Sequence, residues 1–179
     1  MAEMTGKDEI RLAASGDAER LAELKLATFR ETFLDGFGIP YPPADLAEFE
    51  ADSYGVDRIA AEIADSYHRT WVVVREERFI AYAHVGPCKL PHPEALATDG
   101  EIYQIYLRVE AQGAGLGKKL LEIATEFLSV DRPGPIWLGV WSGNTKAQNL
   151  YHAHGFSKVG QYHFRVGKWR DEEYIFRRV

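Results

Sequence analysis

The stretch of sequence that decides the fold runs from Tyr106 to Phe127 and reads YLRVEAQGAGLGKKLLEIATEF. It opens with apolar residues typical of a strand, passes through three closely spaced glycines, and continues with the apolar spacing of a helix. A glycine-rich loop between a strand and a helix lets backbone N–H groups approach an anion closely, because glycine has no side chain in the way. The stretch therefore predicts a phosphate-binding loop at the start of a helix.

Two common phosphate-binding motifs do not fit this loop. A P-loop needs a glycine where Gln112 stands, and it needs Ser or Thr after Lys118, where a second lysine follows. The Rossmann pattern Gly-x-Gly-x-x-Gly fails as well, because its last glycine is missing whether the count starts at Gly113 or at Gly115. Nucleotide hydrolysis and dinucleotide binding are therefore not the indicated functions.

The segments beside the loop predict an α/β fold. Residues 101–109 and 135–141 read as strands, and the helix between them, from about residue 114 to 128, completes a βαβ unit whose strands run parallel. The tail forms a helix that Gly155 ends and then an antiparallel strand pair. A mixed sheet with helices on both faces follows.

The N-terminal half predicts helices followed by a hairpin. A strand at residues 10–14 leads into an amphipathic helix that Asp17 or Ser15 can cap, and two shorter helices with an acidic surface follow. The hairpin strands lie at residues 70–75 and 79–85, on either side of a tight charged turn.

Length, charge and cysteine content limit the class of protein. The 179 residues suffice for one domain with a substantial core, so we expect a single domain over residues 1–179. A net charge of −6 does not favour nucleic acid, and it suits a small cationic partner better. The single cysteine, Cys88, excludes an internal disulfide. The N-terminus MAEMTGKDEI lacks a signal-peptide core and the apolar runs are too short to span a bilayer, so we expect a cytoplasmic protein without a membrane partner.

The loop matches a third pattern in full, Gln/Arg-x-x-Gly-x-Gly/Ala, between Gln112 and Gly117. It resembles the acetyl-CoA pyrophosphate loop of the GNAT superfamily of N-acetyltransferases. A later segment, WSGNTKAQNLYHAHGFSKVG, resembles the second signature of that superfamily, Asn-x-x-Ala-x-x-x-Tyr followed shortly by Gly-Phe. The matching residues are Asn144, Ala147, Tyr151, Gly155 and Phe156.

The spacing within the second signature agrees with a shared site. Asn144 and Tyr151 project about 20° from the same face of a helix that turns about 100° per residue, so both can face one cleft. The resemblance covers nearly the whole chain, and the C-terminal half is most similar to bacterial spermidine/spermine acetyltransferases and their unassigned relatives. It implies a GNAT fold: a mixed, mostly antiparallel sheet of about seven strands with helices on both faces and a splayed parallel pair at the centre.

The resemblance also implies a binding site for acetyl-CoA as co-substrate, with no metal. The strand before the loop would offer its backbone to the pantetheine arm, and the loop with the first helical turn would hold the pyrophosphate. Asn144 would contact the pantetheine arm or order the start of its helix. The residues so assigned are Ile105, Tyr106 and Leu107 on the strand and Gln112, Gly113, Ala114, Gly115, Leu116, Gly117 and Lys118 in the loop and helix.

Attack of an amine on a thioester needs a base for the ammonium and an acid for the departing thiolate. Tyr151 is the candidate acid. Glu101 matches by position the glutamate of the histone acetyltransferase branch and is the candidate base, acting through a water; the alternative is a surface residue or a partner for an arginine. The branch that acetylates ribosomal protein N-termini has its glutamate where Gly139 stands here. Tyr103 can line the acceptor pocket, and Cys88 lacks the neighbours of a nucleophile.

The acceptor is predicted to be a primary amine, with a polyamine-like small molecule favoured. Acetylation of a protein N-terminus or lysine is the alternative within enzymes, and a non-catalytic CoA-binding regulator is the alternative outside them. The acidic run around Glu48, Glu50, Asp52 and Asp57 reads as a solvated helix face rather than a polycation-binding rim. A homodimer is possible because the terminal strands can pair between subunits.

Overall fold

The computed structural model of the protein describes residues 7–179, and its sheet contains seven strands in the order β1-β2-β3-β4-β5-β7-β6. The prediction that the N-terminus MAEMTGKDEI lacks a signal-peptide core rests mainly on residues 1–6, which lie outside the described part of the chain. The strands are β1 (Glu9–Leu12), β2 (Arg69–Arg75), β3 (Arg78–Pro87), β4 (Gly100–Leu107), β5 (Ile136–Trp141), β6 (Ser157–Val166) and β7 (Trp169–Arg178).

Five α-helices cover the sheet. They are α1 (Ala18–Phe29), α2 (Pro43–Tyr54), α3 (Val56–Ala64), α4 (Leu116–Asp131) and α5 (Thr145–Ala153). A π-helical segment, Arg30–Gly36, continues α1, and short 3₁₀ turns occupy Ser15–Asp17 and Val109–Ala111. All strand pairs are antiparallel except β4–β5, which confirms the mixed GNAT sheet predicted from the sequence.

The parallel pair β4–β5 opens into a wedge. Its pairing runs only from Gly100 to Ile102 on β4, opposite Ile136 to Leu138 on β5, although both strands continue further. Beyond Ile102 the β5-facing edge of β4 therefore keeps unpaired backbone groups, which must find other partners. The wedge is the structural feature that positions the site.

A β-bulge in β4 changes which face its side chains use. The register with β3 shifts between His84 and Val85, which leaves Tyr103 as the extra residue. The side chain of Ile105 then packs in the core beneath α4, while Glu101 and Tyr103 line the cleft on the other side. A strict two-residue alternation from Glu101 would have placed Ile105 on the face of Glu101.

Helix α4 is held by a fully buried apolar stripe, made by Leu120, Leu121, Ala124 and Leu128. The stripe packs against β3, β4 and β5, as the 3.6-residue period of the sequence predicts. The helix begins at Leu116 rather than at residue 114, because Gly115 has a left-handed backbone conformation and stands just outside it.

The predicted side-chain cap of α1 is wrong. Asp17 precedes the helix, but its carboxylate pairs with Arg11 at 2.7 Å and accepts a hydrogen bond from the N–H of Ala14 at 2.8 Å. The aspartate therefore ties the end of β1 to the helix start instead of capping the first turn.

Candidate active site

A continuous cleft of about 1060 Å³ lies where β4 and β5 diverge. The glycine loop and the start of α5 border one half, and the π-helical segment with α2, β6 and β7 borders the other half. Every residue that the sequence assigns to the site borders this cleft, with the exception of Ala114. The two halves differ in chemistry, since the first offers mainly backbone, whereas the second offers carboxylates and aromatic rings together with the basic side chains of Lys25, Arg58, His84 and Lys89.

The glycine loop has the backbone that an anion site needs. Gly113 and Gly115 have φ of 82° and 78°, and nothing lies within 4 Å of the position where a Cβ on either would stand. The first helical hydrogen bond runs from the N–H of Lys119 to the Gly115 carbonyl at 3.1 Å. The N–H groups of residues 116–118 therefore have no partner inside the helix and point out of its end, where they can bind a pyrophosphate.

Four residues of the loop and the first helical turn differ in what their side chains and backbone can offer. Leu116 is buried in the core, so only its backbone is available, whereas the side chain of Lys118 is exposed. The amide of Gln112 reaches back to the carbonyl of Leu107 at 3.4 Å and closes the loop against β4. Ala114 is exposed in the turn between the two left-handed glycines.

The side chains of the β4 residues assigned to cofactor binding point away from the wedge. Ile105 and Leu107 pack on the face beneath α4, and Tyr106 packs on the opposite face, with its ring 6.0 Å from that of Phe33. Only their backbone faces β5, so this edge can pair with an extended chain such as a pantetheine arm.

Asn144 stands at the start of α5 and caps it. Its Oδ1 accepts a hydrogen bond from the N–H of Ala147 at 3.1 Å. The resemblance implies that Asn144 contacts the pantetheine arm or orders the start of its helix. The observed hydrogen bond corresponds to the second role. Gln148, one turn further on, donates to the carbonyl of Ser142 at 2.9 Å and secures the same corner.

Tyr151 presents a protonated phenol to the cleft. Its ring lies against Phe156 and Phe176, with centroid distances of 6.1 and 6.3 Å. Burial and, secondarily, the negative charge of Glu173 raise the pKa of Tyr151 to about 12. The hydroxyl therefore carries its proton at neutral pH, as an acid for a thiolate must.

Glu101 is a buried carboxyl with a shifted pKa. Only 5% of the residue is exposed, and Oε2 accepts a hydrogen bond from the N–H of Lys89 at 2.8 Å. Burial raises the pKa of Glu101 to about 7, against the smaller lowering effect of the Lys89 N–H. The alternative of a surface residue or an arginine partner is wrong, because the side chain is buried and its partner is a backbone amide.

The structure adds a second carboxyl that the sequence did not single out. Glu173 of β7 borders the cleft, and its Oε2 accepts a hydrogen bond from the Tyr162 hydroxyl at 2.7 Å. Burial raises the pKa of Glu173 to about 7 as well. In the sequence Glu173 is one of three consecutive acidic residues in the run DEEY, which reads equally well as a solvated strand, so the sequence offers little to distinguish it.

A third acidic side chain, Asp171, lies two residues earlier on β7. It is buried and accepts hydrogen bonds from the Tyr41 hydroxyl at 2.5 Å and from the Trp169 indole at 2.8 Å. Aromatic rings from the helices and from β5 and β6 complete this wall: Phe29, Phe33, Phe37, Phe49, Trp141 and Phe164. The acceptor half thus joins carboxylates to flat apolar surface.

The π-helical segment connects the acceptor wall to the glycine loop. Glu31 pairs with Arg108 at 2.8 Å and accepts a hydrogen bond from the N–H of Val109 at 3.0 Å. These residues lead directly into the 3₁₀ turn before Gln112. The helix that borders the acceptor half therefore also holds the strand end that presents the loop.

Two further predictions from the sequence can be compared with the structure. Cys88 is buried and its pKa is raised to about 12, chiefly by burial, which agrees with its expected lack of a nucleophilic role. In the acidic run, Glu50 pairs with Arg30 at 2.6 Å, while Glu48, Asp52 and Asp57 are exposed away from the cleft, as a solvated face requires.

No helix within residues 7–179 is long and apolar enough to cross a membrane.

Comparison with known sequences gives the family. The model of the acetyltransferase (GNAT) family matches residues 26–156. An N-acetyltransferase encoded in the pepI 3′ region of Lactobacillus delbrueckii subsp. lactis is 30% identical over 154 residues, which cover 86% of this chain and 89% of that protein. The chain belongs to the GNAT acetyltransferase family. It is an acetyl-CoA-dependent N-acetyltransferase, with acetyl-CoA as its co-substrate.

Solved structures share the whole fold. PaiA N-acetyltransferase from Thermoplasma acidophilum, in complex with coenzyme A, superimposes with a TM-score of 0.74 at 19% identity over 96% of this chain and 98% of that one. The ribosomal-protein-S18-alanine N-acetyltransferase from Escherichia coli gives 0.66 at 16% identity over 96% and 93%. These similarities support the fold. The identity of the acceptor amine and the resemblance to spermidine/spermine acetyltransferases stay predictions.

Proposed function

We propose that the protein transfers the acetyl group of acetyl-CoA to a small primary amine that carries more than one positive charge, such as a polyamine. The observation that carries this proposal is the acceptor half of the cleft, where Glu101, Glu173 and Asp171 lie near the β4–β5 wedge. Carboxylates attract and orient ammonium groups, and the aromatic wall can pack against the methylenes and cations of such a chain.

In this proposal the transfer is direct, within a ternary complex. Residues 112–118 and Asn144 position acetyl-CoA, and the backbone of residues 105–107 pairs with its pantetheine arm. Glu101 removes a proton from the incoming ammonium through a water, since its pKa of about 7 leaves it partly ionised at neutral pH. A strand N–H near Leu107 stabilises the oxyanion, and Tyr151 protonates the departing thiolate.

Acetylation of a protein N-terminus or lysine is the second candidate, and it has a fold neighbour in the S18-alanine enzyme. A peptide substrate suits an open, flat groove. The aromatic wall and the carboxylates favour a small cation over a peptide, because peptide carbonyl oxygens that face carboxylates or aromatic rings would find no hydrogen-bond donor there.

A thiol-release screen tests the proposal. Purified protein is mixed with acetyl-CoA and, in separate wells, with polyamines, amino acids, aminoglycosides and peptides. We expect saturable thiol release with polyamines and little with amino acids, whose carboxylate would meet the acidic wall. Release only with peptides would replace the proposal by its alternative.

A further inference from the structure

Gly139 leaves a space on β5 that two side chains from other strands occupy. A Cβ added at this glycine would stand 2.8 Å from the hydroxyl of Tyr162 and 2.9 Å from Oε2 of Glu173. The backbone of Gly139 is not left-handed, so the residue is not needed for conformation. Its absent side chain is what lets the Tyr162–Glu173 pair lie over the centre of the sheet, beside the wedge.

The Glu173 carboxylate borders the cleft together with Glu101, Tyr106 and Tyr151. Its negative charge contributes to the raised pKa of Glu101, of Tyr106 and of Tyr151. Within residues 7–179 no lysine, arginine or histidine pairs with Glu173, and its one side-chain hydrogen bond comes from Tyr162. A half-buried carboxylate without a cation costs stability, so its presence at the cleft indicates a use.

We propose that Glu173 is a second proton acceptor in acetyl transfer, which takes the proton from the nitrogen of the tetrahedral intermediate and returns it to Tyr151. The proposal deepens the function proposed above and depends on it. It separates the work of the two carboxyls: Glu101 serves the incoming ammonium, and Glu173 serves the nitrogen after the carbon–nitrogen bond has formed.

The protons balance in this scheme. The ammonium gives one proton to Glu101, and the neutral amine then forms a bond to the thioester carbon. The intermediate, whose nitrogen is positively charged, gives its proton to Glu173. The carbon–sulfur bond breaks as Tyr151 protonates the thiolate, and the tyrosinate takes the proton held by Glu173. Glu101 releases its proton to solvent, so one proton leaves per amide formed.

The arrangement couples the two steps electrostatically. An ionised Glu173 raises the pKa of Tyr151, so the phenol is a weak acid in the resting enzyme. Protonation of Glu173 by the intermediate removes that negative charge, and the phenol becomes a stronger acid when the thiolate departs. The titratable groups whose charges interact with Glu173 are Tyr41 before α2, Glu101 and Tyr106 from β4, Tyr151 from α5, Tyr162 from β6 and Asp171 from β7.

The test uses Glu173→Gln in the full-length protein, with the neighbouring exposed Glu172→Gln as the matched control. We expect Glu173→Gln to lower kcat for a polyamine about 100-fold, with the KM for acetyl-CoA changed less than about twofold. Below about pH 7, a plot of log(kcat/KM) against pH should rise with a slope near two for the wild type, because both Glu101 and Glu173 must be ionised. The slope should be near one for the variant, in which only Glu101 remains to ionise. Glu172→Gln should match the wild type.

Two further variants keep the test independent of the fold of Glu173→Gln. Tyr162→Phe removes a hydrogen bond that lowers the pKa of Glu173. The acidic limb of the pH–activity profile of this variant should therefore move to higher pH. Gly139→Ala should displace the pair and lower kcat while acetyl-CoA still binds. Suppose that the wild type acetylates an amine, that the kcat of Glu173→Gln stays within about threefold of the wild-type value, and that the acid limb of Tyr162→Phe does not move. This result would overturn the role of Glu173 and leave the proposed function standing. A wild type that acetylates no amine would overturn the proposed function as well.

Discussion

At the scale of single residues, Tyr151 and Glu101 have opposite protonation states suited to opposite tasks. A pKa of about 12 keeps the phenol protonated, and a pKa of about 7 leaves the carboxyl ready to accept a proton near neutral pH. Burial is the main cause of both shifts, and the cleft provides it for both side chains. The same environment thus prepares the proposed acid and the proposed base.

Tyr151→Phe tests the acid. The ring should keep its packing against Phe156 and Phe176, so stability should change little while the transferable proton is lost. We expect kcat to fall about 100-fold with the KM for acetyl-CoA nearly unchanged, as measured by initial rates of thiol release. A fully active Tyr151→Phe would exclude the tyrosine as the acid.

Glu101→Gln tests the buried carboxyl through stability. The folded pKa of about 7 lies above the ordinary 4.5, so the stabilising effect of protonation is complete below about pH 4.5 and is lost as the pH rises through 7. The variant lacks this loss. From about pH 4 to about pH 8, its free energy of unfolding should therefore gain up to about 3 kcal/mol relative to the wild type, by urea denaturation.

The exposed Glu126→Gln is the control for that series, and its difference from the wild type should stay constant with pH. A Glu101→Gln difference that is equally constant would contradict a raised pKa for this carboxyl. The activity of the same protein, measured alongside, separates a role in proton transfer from a purely structural one.

At the scale of elements, the loop before α4 is where sequence pattern and structure agree most closely. Its glycines, the apolar stripe of α4 and the Gly155 end of α5 are local features, and each follows from residues adjacent in the chain. The bulge at Tyr103 and the π-helical turn have no such local signal, because they result from how β4 packs against β3 and how α1 packs over the sheet. The Asp17 cap is absent for a different reason, because the carboxylate is taken by Arg11 of β1 and by the N–H of Ala14.

Gly115→Ala tests the loop. A residue with a Cβ is strained at φ of 78°, by about 1–2 kcal/mol, and relief of that strain would move the N–H groups that we propose bind the pyrophosphate. We expect a lower stability and a several-fold higher KM for acetyl-CoA. Gly38→Ala is the matched control, because Gly38 has φ of 63° and equally open space but does not border the cleft.

The control should lose comparable stability without a change in that KM. If Gly115→Ala raises the KM no more than Gly38→Ala does, the loop geometry is not what holds the cofactor.

At the scale of the whole molecule, a buried polar cluster links the helical layer to the sheet. Lys25 of α1 pairs with Glu62 of α3 at 3.0 Å and lies 3.4 Å from Nδ1 of His84 on β3. Nε2 of His84 lies 2.8 Å from Nδ1 of His68, just before β2. Burial and then the charge of Lys25 lower the pKa of His84 well below its usual value, so this histidine is neutral in the folded protein.

That cluster predicts a loss of stability in acid. The folded pKa of His84 lies below the unfolded value of about 6.5, so its contribution to stability is present above that pH and is lost as the pH falls below it. His84→Gln should remove up to about 1.4 kcal/mol per pH unit from the wild-type slope below pH 6.5. Parallel stability curves for the two proteins, measured by urea denaturation, would contradict this.

Most of the acceptor half is assembled by contacts between residues far apart in the chain, so the sequence predicts only part of it. Glu101 was singled out because, on the strand that leads into the loop, it matches by position the glutamate of the histone acetyltransferase branch. Glu173 and Tyr162 meet Gly139 only through the pairing of β5, β6 and β7, and no spacing in the sequence records that meeting. The aromatic wall likewise assembles from segments far apart in the chain.

A competition experiment tests the central claim most directly. Equal concentrations of spermidine and of a peptide with a free N-terminal alanine are incubated with the protein and limiting acetyl-CoA, and the ratio of acetylated products, read by mass spectrometry, gives the ratio of the two kcat/KM values. The carboxylates and aromatic rings of the acceptor wall predict that acetylspermidine exceeds the acetylated peptide at least about tenfold, which corresponds to about 1.4 kcal/mol of transition-state preference. An excess of acetylated peptide would contradict the account.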